Sequence, residues 1–271
     1  MNESDKKNLR KLQLIELDIL KEVDRICKKN KITYYLGEGS LLGAIRHNGF
    51  IPWDDDIDVI MMREEYEKFL KVAPKELKKQ YSLQHSTTIK NYWSPYMKVR
   101  FLDTSFYRQS HIKHLTKDNG PDLDIFPIDN VPKLNSFKQK MQANEIKVLR
   151  KAISYKLKVY KPKRLIHYII KYTFGLLSIN KLHKMLDKTF RKYNNPNNKY
   201  AVNLASYYDY RRETSPKEWY GKPRIVKFED KEFPVPCEAE KLLTLIYGDY
   251  MTLPPVEKRV IKHHWNEGES E

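Results

Sequence analysis

Apolar residues recur at helical spacing near the start of the chain and predict an amphipathic helix over about Leu9–Ile26. Its apolar stripe consists of Leu12, Ile15, Ile19, Val23 and Ile26. The β-rich run Ile32–Leu36 ends at Gly37 and predicts a buried strand. A short helix over Leu41–Arg46 is predicted next, with Ser40 as its N-cap.

Short strands and helices are predicted along the rest of the chain. Helical patterns cover Glu64–Val72, about Ser136–Tyr193 and Ala239–Tyr247. Strand-like runs cover Ser82–Gln84, Met97–Phe101 and Leu123–Phe126. Pro127 is expected to end the last of these strands, because proline cannot donate to a ladder.

This order of elements predicts an α+β fold with a mixed sheet flanked by helices and an additional helical lobe. We expect a single domain over residues 1–271. Its core would span about 9–132, a basic helical lobe about 133–195, and a C-terminal segment that completes the site about 196–271.

Composition adds a strong basic excess to this picture. The chain of 271 residues has 51 Lys and Arg against 35 Asp and Glu, a formal net charge of +16. Aromatic residues make up 12%, which is too many for a disordered chain. The charge points to nucleic acid, to an anionic membrane face or to phosphorylated substrates.

Compartment and membrane contact are read from other features. Cys27 and Cys237 form no C-x-x-C pair, so we expect reduced thiols in a cytoplasmic protein, and the charged start predicts no signal peptide. The longest apolar region, Leu165–Leu177, is interrupted by His167 and Lys171 and is too short to span a bilayer. A basic amphipathic segment of this kind can lie on a membrane surface or pack on the core.

An acidic cluster at 54–58 carries the sharpest chemical signal. Alternate residues of a strand point to one face, so Asp56 and Asp58 would lie side by side and repel one another unless a cation lies between them. Mg²⁺ fits best, because it prefers oxygen ligands. With Asp124 from a second strand, three carboxylates can hold two metal ions for displacement at phosphorus. Asp54 and Asp55 are expected to be solvated loop residues.

A glycine-rich turn, Gly37–Gly43, precedes the acidic cluster. It matches neither the dinucleotide fingerprint nor a P-loop, but the backbone N–H groups of a Gly39-Ser40 turn that opens a helix can bind an anion. A strand, a Gly-Ser turn, a short helix and then Asp-x-Asp on the next strand is the order found in the nucleotidyltransferase fold.

In detail, the stretch 37–59, Gly-Glu-Gly-Ser-Leu-Leu-Gly-Ala-Ile-Arg-His-Asn-Gly-Phe-Ile-Pro-Trp-Asp-Asp-Asp-Ile-Asp-Val, resembles the LicD family. The stretches Asp124–Pro127 and Tyr247–Met251, with Pro254-Pro255, support the resemblance. It covers nearly the whole chain, from about Leu12 to His264.

The resemblance implies a phosphotransferase that moves phosphocholine from CDP-choline to a sugar of teichoic acid or lipopolysaccharide in bacteria and releases CMP. The alternative is transfer of ribitol or glycerol phosphate by the same mechanism. Gly39 and Ser40 would meet the donor phosphates, and Asp56, Asp58 and Asp124 would bind Mg²⁺, as two ions, with Mn²⁺ as a substitute. Asp124 would also orient or deprotonate the acceptor, which can be lipid-linked.

Further side chains are candidates for substrate contacts. Arg46 and His47, between the turn and the acidic cluster, are expected to neutralise phosphate, and Arg100, His263 and His264 are weaker candidates. His111-x-x-His114 has zinc-like spacing but no third ligand nearby. Choline is held by aromatic faces. The aromatic clusters are Tyr92-Trp93, Tyr207-Tyr208-Asp209-Tyr210 and Trp219-Tyr220.

Two readings without catalysis compete with the transferase. A basic nucleic-acid-binding protein fits the charge, but no nucleic-acid module is present and the acidic cluster would repel phosphate, so we expect no nucleic-acid partner. A membrane adaptor would use the region 160–180 alone. We expect instead an enzyme in the cytoplasm that contacts the anionic inner face of the plasma membrane.

Overall fold

The computed structural model describes residues 3–102, 104, 106–108, 120–134, 136–261 and 265–267. The helices are α1 Glu3–Asn30, α2 Glu38–His47, α3 Arg63–Glu76, α4 Phe137–Lys156, α5 Leu165–Thr173, α6 Ile179–Phe190 and α7 Ala239–Tyr247. The strands are β1 Tyr35–Leu36, β2 Ile57–Met62, β3 Tyr81–Gln84, β4 Met97–Phe101, β5 Phe106–Arg108, β6 Asp122–Val131, β7 Tyr200–Val202, β8 Thr214–Pro216, β9 Arg224–Phe228, β10 Lys231–Val235 and β11 Trp265–Glu267. The predicted α+β class is confirmed.

The chain divides into two compact units. The first consists of Met1–Leu83, Lys98–Pro127 and Trp219–Glu271, and the second of Gln84–Met97 and Ile128–Glu218. The predicted division into a core, a lobe and a C-terminal segment stays a prediction.

The first unit is built on strands in the order β1-β2-β6-β4-β3. β1 pairs antiparallel with β2, with Tyr35 opposite Ile60. α1 packs against α3 and β2, and its buried stripe includes a fully buried Leu12 and Ile19. β9 and β10 form an antiparallel pair, as do β5 and β11. This arrangement fixes the start of β2, where the acidic cluster lies.

β6 is longer than the sequence predicted, because it continues through Pro127 to Val131. The expectation that Pro127 ends the strand is wrong. In the second unit β6 pairs with β7 through Asp129, Asn130 and Val131. Pro127 lies before these pairs, so its missing N–H removes no hydrogen bond from that ladder.

The second unit combines β7 and β8 with α4, α5 and α6, so the predicted helical region over 136–193 is interrupted twice. Ser136 and Ser178 cap α4 and α6 through their hydroxyl groups. α4 packs on α6, and its Gln142 amide donates hydrogen bonds to the carbonyls of Thr189 (2.8 Å) and Phe190 (3.1 Å) at the end of α6. None of the helices in the described ranges has the length and apolar content needed to cross a bilayer.

Candidate active site

The turn before α2 is tied directly to the first residues of β2. The Gly37 N–H donates to the Asp58 carbonyl (2.9 Å), and the Asp58 N–H donates to the Ser40 hydroxyl (2.9 Å). Ser40 is buried. The predicted phosphate-binding pair Gly39 and Ser40 therefore lies beside the predicted metal ligand Asp58.

The expected capping role of Ser40 is wrong. α2 begins at Glu38, and its N-cap is Gly37, whose carbonyl accepts a hydrogen bond from the Leu41 N–H (2.9 Å). Ser40 lies inside the first turn of α2, and its hydroxyl accepts a hydrogen bond from β2 rather than from its own helix. Glu38 has a φ of 46°, in the left-handed region that residues other than glycine rarely adopt.

Gly39 allows a carboxylate to approach the backbone of this turn. A Cβ atom at this position would lie 2.7 Å from Oδ2 of Asp54, closer than such atoms pack. Any larger residue would therefore displace the Asp54 carboxylate or the turn.

Asp54 and Asp55 are buried, with 5% and 1% of their surface exposed. The expectation that they are solvated loop residues is wrong, because the loop folds against α1. Gln13 donates its amide to the Asp54 carbonyl (2.9 Å), and the Asp54 N–H donates to the Ile51 carbonyl (2.9 Å). Asp54, Asp55 and Asp56 each present a carboxylate oxygen, and these oxygens lie within 4.8 Å of one another.

Asp58 adds a fourth carboxylate, and its neighbours Ile57 and Val59 are fully buried in the core as predicted. The pKa of Asp58 is raised well above its ordinary value by burial, and further by the negative charge of Asp56 and Asp124. The predicted ligands Asp56 and Asp124 therefore lie close enough to Asp58 for their negative charge to act on its carboxyl group.

Glu16 is a member of this cluster that the sequence interpretation missed. It is 1% exposed on α1, and its Oε2 atom has no hydrogen-bond partner among the described residues. Its pKa is raised well above the ordinary value by burial and then by the charge of Asp56 and Asp55. Glu16 lies four residues after Leu12 and three before Ile19, so it falls on the apolar stripe of α1. A carboxylate on that stripe was the signal that could have identified it.

Two cations of β4 lie against the acids of β6. Lys98 Nζ is 2.5 Å from Asp124 and 3.0 Å from Asp122, and Arg100 pairs with Asp122. Arg100 also donates to the Gly120 carbonyl, so it serves as a structural counter-charge here. Asp122 and Asp124 are similarly covered, with side chains 12% and 15% exposed.

Arg46 and His47 lie at the other end of α2. Arg46 follows Gly39 by seven positions in α2, which corresponds to about 10 Å along a helix axis. Arg46 donates to the Tyr250 carbonyl (2.6 Å) and to His47 (3.0 Å), and the His47 ring packs edge-on against Trp53. The pKa of His47 is lowered by burial and then by Arg46. Neither residue forms an ion pair with a carboxylate in the described part of the chain.

The donor set suits a hard divalent cation. Asp56 and Asp58 form no ion pair with any residue that the structure describes, although Lys98 and Arg100 offset the charge of the acids on β6. Carboxylate oxygens this close together match the preference of Mg²⁺ and Mn²⁺ for oxygen ligands. These residues fit the predicted cofactor.

Comparison with known proteins gives a family. Residues 31–180 match the model of the LicD/FKTN/FKRP nucleotidyltransferase domain. The chain is 32% identical over 263 residues to the lipopolysaccharide cholinephosphotransferase LicD of Haemophilus influenzae, covering 95% of this chain and 97% of that protein. This chain belongs to the LicD family. The predictions of the family and of an enzyme are confirmed.

Two shorter matches cover part of the chain. An uncharacterised protein of Rickettsia typhi is 37% identical over 83 residues, 31% of this chain and 25% of that protein. A second one, from Rickettsia prowazekii, is 39% identical over 56 residues, 21% of each chain.

The remaining candidates of this LicD-family chain are dispersed. Tyr220 is buried and packs against Tyr35, whereas the other two aromatic clusters lie in the second unit. The weaker phosphate candidates His263 and His264 lie outside the described residues. The zinc-like pair His111 and His114 also lies outside them.

The raised pKa of Asp58 predicts how stability depends on pH without metal. A carboxyl group whose pKa rises on folding stabilises the fold at low pH and loses that contribution as pH rises. In EDTA, the thermal midpoint of Asp58→Asn should exceed that of the wild type by a margin that grows as pH rises from about 4 towards neutrality.

The matched control is Asp18→Asn, an exposed partner of Lys21, which should leave the wild-type pH profile unchanged. Differential scanning calorimetry in EDTA measures both profiles. A lower midpoint for Asp58→Asn than for wild type near neutral pH would contradict the repulsion described for this cluster.

Proposed function

We propose that this LicD-family protein transfers phosphocholine from CDP-choline to a sugar hydroxyl of a bacterial surface glycan and releases CMP. The observation that carries the proposal is the identity with a lipopolysaccharide cholinephosphotransferase over 95% of the chain. The acceptor is a lipopolysaccharide-type glycan, with teichoic acid as the other glycan class. A nucleic-acid-binding role has no comparable support.

The site residues take the following roles in the proposed reaction. Gly39 and Ser40 bind the donor phosphates, and Asp54, Asp55, Asp56 and Asp58, together with Asp124, hold Mg²⁺. Bound Mg²⁺ supplies positive charge that offsets the donor diphosphate and the departing CMP. Arg46 and His47 bind phosphate at the far end of α2.

The chemical step exchanges one phosphorus–oxygen bond for another. The sugar hydroxyl oxygen forms a bond to the phosphorus that carries choline, while the bond from that phosphorus to the bridging oxygen breaks. CMP leaves with the electron pair of that oxygen, and Asp124 receives the hydroxyl proton. Lys98, 2.5 Å from Asp124, holds this carboxylate in position.

Transfer should require both the divalent cation and the space that Gly39 leaves for the Asp54 carboxylate. With Mg²⁺, CDP-choline and deacylated lipopolysaccharide, Gly39→Ala should lower CMP release by about 100-fold, because its Cβ displaces Asp54. Asp56→Asn should abolish release. Gly175→Ala is the matched control, since nothing lies within 4 Å of the added Cβ.

A donor panel separates phosphocholine from other cargo. CMP release is compared for CDP-choline, CDP-ribitol, CDP-glycerol and CDP-ethanolamine, with Mg²⁺ and with EDTA. A preference for CDP-ribitol or CDP-glycerol would replace phosphocholine by the alternative cargo, and full activity in EDTA would refute the role of the cation.

Contact with an anionic membrane completes the proposal and is assigned to α5. Ile170 is the buried residue of this helix. Large apolar side chains are exposed at Leu165, Ile166, Ile169, Tyr172 and Leu176. The segment 146–186 contains eleven Lys and Arg residues and no Asp or Glu. An exposed apolar face within a purely basic segment fits the inner face of the plasma membrane, and two free cysteines fit a cytoplasmic protein.

Vesicle co-sedimentation tests this contact. The wild type should sediment with phosphatidylglycerol vesicles and much less with phosphatidylcholine vesicles, and Ile166→Ser/Ile169→Ser should lose most of this binding. Ile225→Ser, at an exposed isoleucine of β9, is the matched control. Equal binding by the α5 variant and the wild type would exclude α5 as the membrane contact.

A further inference from the structure

A cavity of about 440 Å³ lies entirely within the second unit. α4, the loop between α4 and α5, and the loop 203–210 contribute most of its wall. The carboxylates described above belong to the first unit. The cavity therefore lies in a different unit from the carboxylates.

Positive charge dominates the wall of this cavity. Five cations line it, namely Lys147, Arg150, Lys151, Lys161 and Lys163, and no Asp or Glu does. None of the five forms an ion pair with a carboxylate among the residues that the structure describes. Asp209, the acid next to the lining tyrosines, pairs with Arg211 (2.8 Å). The cavity is therefore suited to an anion.

His167 also lies in this positively charged part of the wall. Its Nε2 atom accepts a hydrogen bond from Lys151 Nζ (3.1 Å), and its pKa is lowered by partial burial and then by Lys151 and Arg164. A neutral histidine beside lysines adds hydrogen-bonding capacity without adding charge.

Aromatic side chains form the other part of the wall. They are Trp93, Tyr155, Tyr160, Tyr207, Tyr208 and Tyr210. Arg150 is held in place, since its guanidinium donates to the Ser206 carbonyl (3.0 Å) and lies 5.0 Å from the centre of the Tyr207 ring. Aromatic faces pack on the C–H face of a sugar ring, and tyrosine hydroxyls at the rim can bond its hydroxyl groups.

Charge decides between two possible ligands of these aromatic residues. A quaternary ammonium ion binds aromatic faces, but the five lining cations would repel it. A sugar that carries phosphate satisfies both parts of the wall, with lysines on the phosphate and aromatic rings on the sugar. The members of the two aromatic clusters that line the cavity therefore fit an anionic sugar better than choline.

We infer that this cavity binds a phosphorylated sugar of the glycan acceptor, an assignment that rests on the proposed function. The cavity acts as a binding subsite that retains the acceptor through a phosphate-bearing residue. It is not a catalytic centre, so its loss should raise the KM for the acceptor and leave the KM for CDP-choline unchanged.

Calorimetric titration of the full chain tests the assignment with glucose 6-phosphate as the probe. Lys147→Gln/Lys163→Gln should weaken binding by about tenfold or more, since it removes two charge-assisted contacts. Lys181→Gln/Lys184→Gln is the matched control, because it removes the same charge from exposed lysines of α6 that do not line the cavity. Thermal midpoints near that of the wild type establish that both variants are folded.

The same titrations distinguish which ligand the cavity binds when they are repeated with glucose, inorganic phosphate, CMP and phosphatidylglycerol vesicles. Weaker binding of phosphate alone and none of glucose supports the assignment. Equal loss of glucose 6-phosphate binding in both double variants overturns it, as does binding of inorganic phosphate as tight as that of glucose 6-phosphate. The assignment is also overturned if the wild type does not bind glucose 6-phosphate and Lys147→Gln/Lys163→Gln loses binding of CMP or of vesicles.

Aromatic packing is tested at an exposed ring. Tyr207→Leu should weaken glucose 6-phosphate binding and leave inorganic phosphate binding unchanged, and Tyr207→Phe should restore the affinity. A wild type that binds glucose 6-phosphate in the cavity but transfers no phosphocholine would refute the proposed function and leave the sugar-phosphate site standing. Transfer with an unchanged acceptor KM in the cavity variant would refute the cavity and leave the transferase.

Discussion

Repulsion among carboxylates is the constraint on which the first unit depends. Asp54, Asp55 and Asp56 present oxygens within 4.8 Å of one another, and Asp58 and Glu16 extend the cluster into the buried interior. A fold tolerates such a group only when other interactions hold it in place. Here the core packing of β2, the two hydrogen bonds between Asp58 and the α2 turn, and Gln13 of α1 do so.

The charge balance of the cluster explains its proposed chemistry. Lys98 and Arg100 offset the acids of β6, whereas Asp56 and Asp58 at the start of β2 form no ion pair among the described residues. A site with this surplus attracts a divalent cation, and the cation in turn admits a diphosphate that the carboxylates alone would repel.

The net charge of +16 is distributed unevenly around this acidic centre. The second unit carries the acid-free segment 146–186 and the cation-lined cavity, whereas the first unit carries the carboxylates. The proposed function, which joins a diphosphate donor to an anionic glycan, calls for both kinds of surface. Under that proposal the basic excess serves substrates and lipid that carry phosphate.

Local patterns predicted the elements that depend on local rules. The strand Met97–Phe101 and the helix Ala239–Tyr247 have the predicted bounds, because alternation and helical spacing decide them. The order of a Gly-Ser turn and then Asp-x-Asp on the next strand was also readable, and the structure joins the two through the hydrogen bond from the Asp58 N–H to the Ser40 hydroxyl. The burial of Asp54 and Asp55 and the path of β6 through Pro127 depend on partners distant in the sequence, which spacing alone does not show.

Glu16 is another residue whose role depends on partners distant in the sequence. Its helical position was readable, but a carboxylate on an apolar stripe has meaning only once the acidic loop is seen against it. The N-cap of α2 was mispredicted for a related reason, since the Ser40 hydroxyl bonds to β2 instead of to its own helix. Contacts between elements overrode local preference at both positions.

Binding of Mn²⁺, followed by electron paramagnetic resonance of the free ion, tests the central claim most directly. We predict that the wild type binds Mn²⁺, that Mg²⁺ competes for the same site, and that Asp56→Asn/Asp58→Asn loses this binding. Asp18→Asn/Asp230→Asn, with the same charge change at exposed residues, should bind as the wild type does. Equal binding of Mn²⁺ by the wild type and the Asp56→Asn/Asp58→Asn variant would contradict the account.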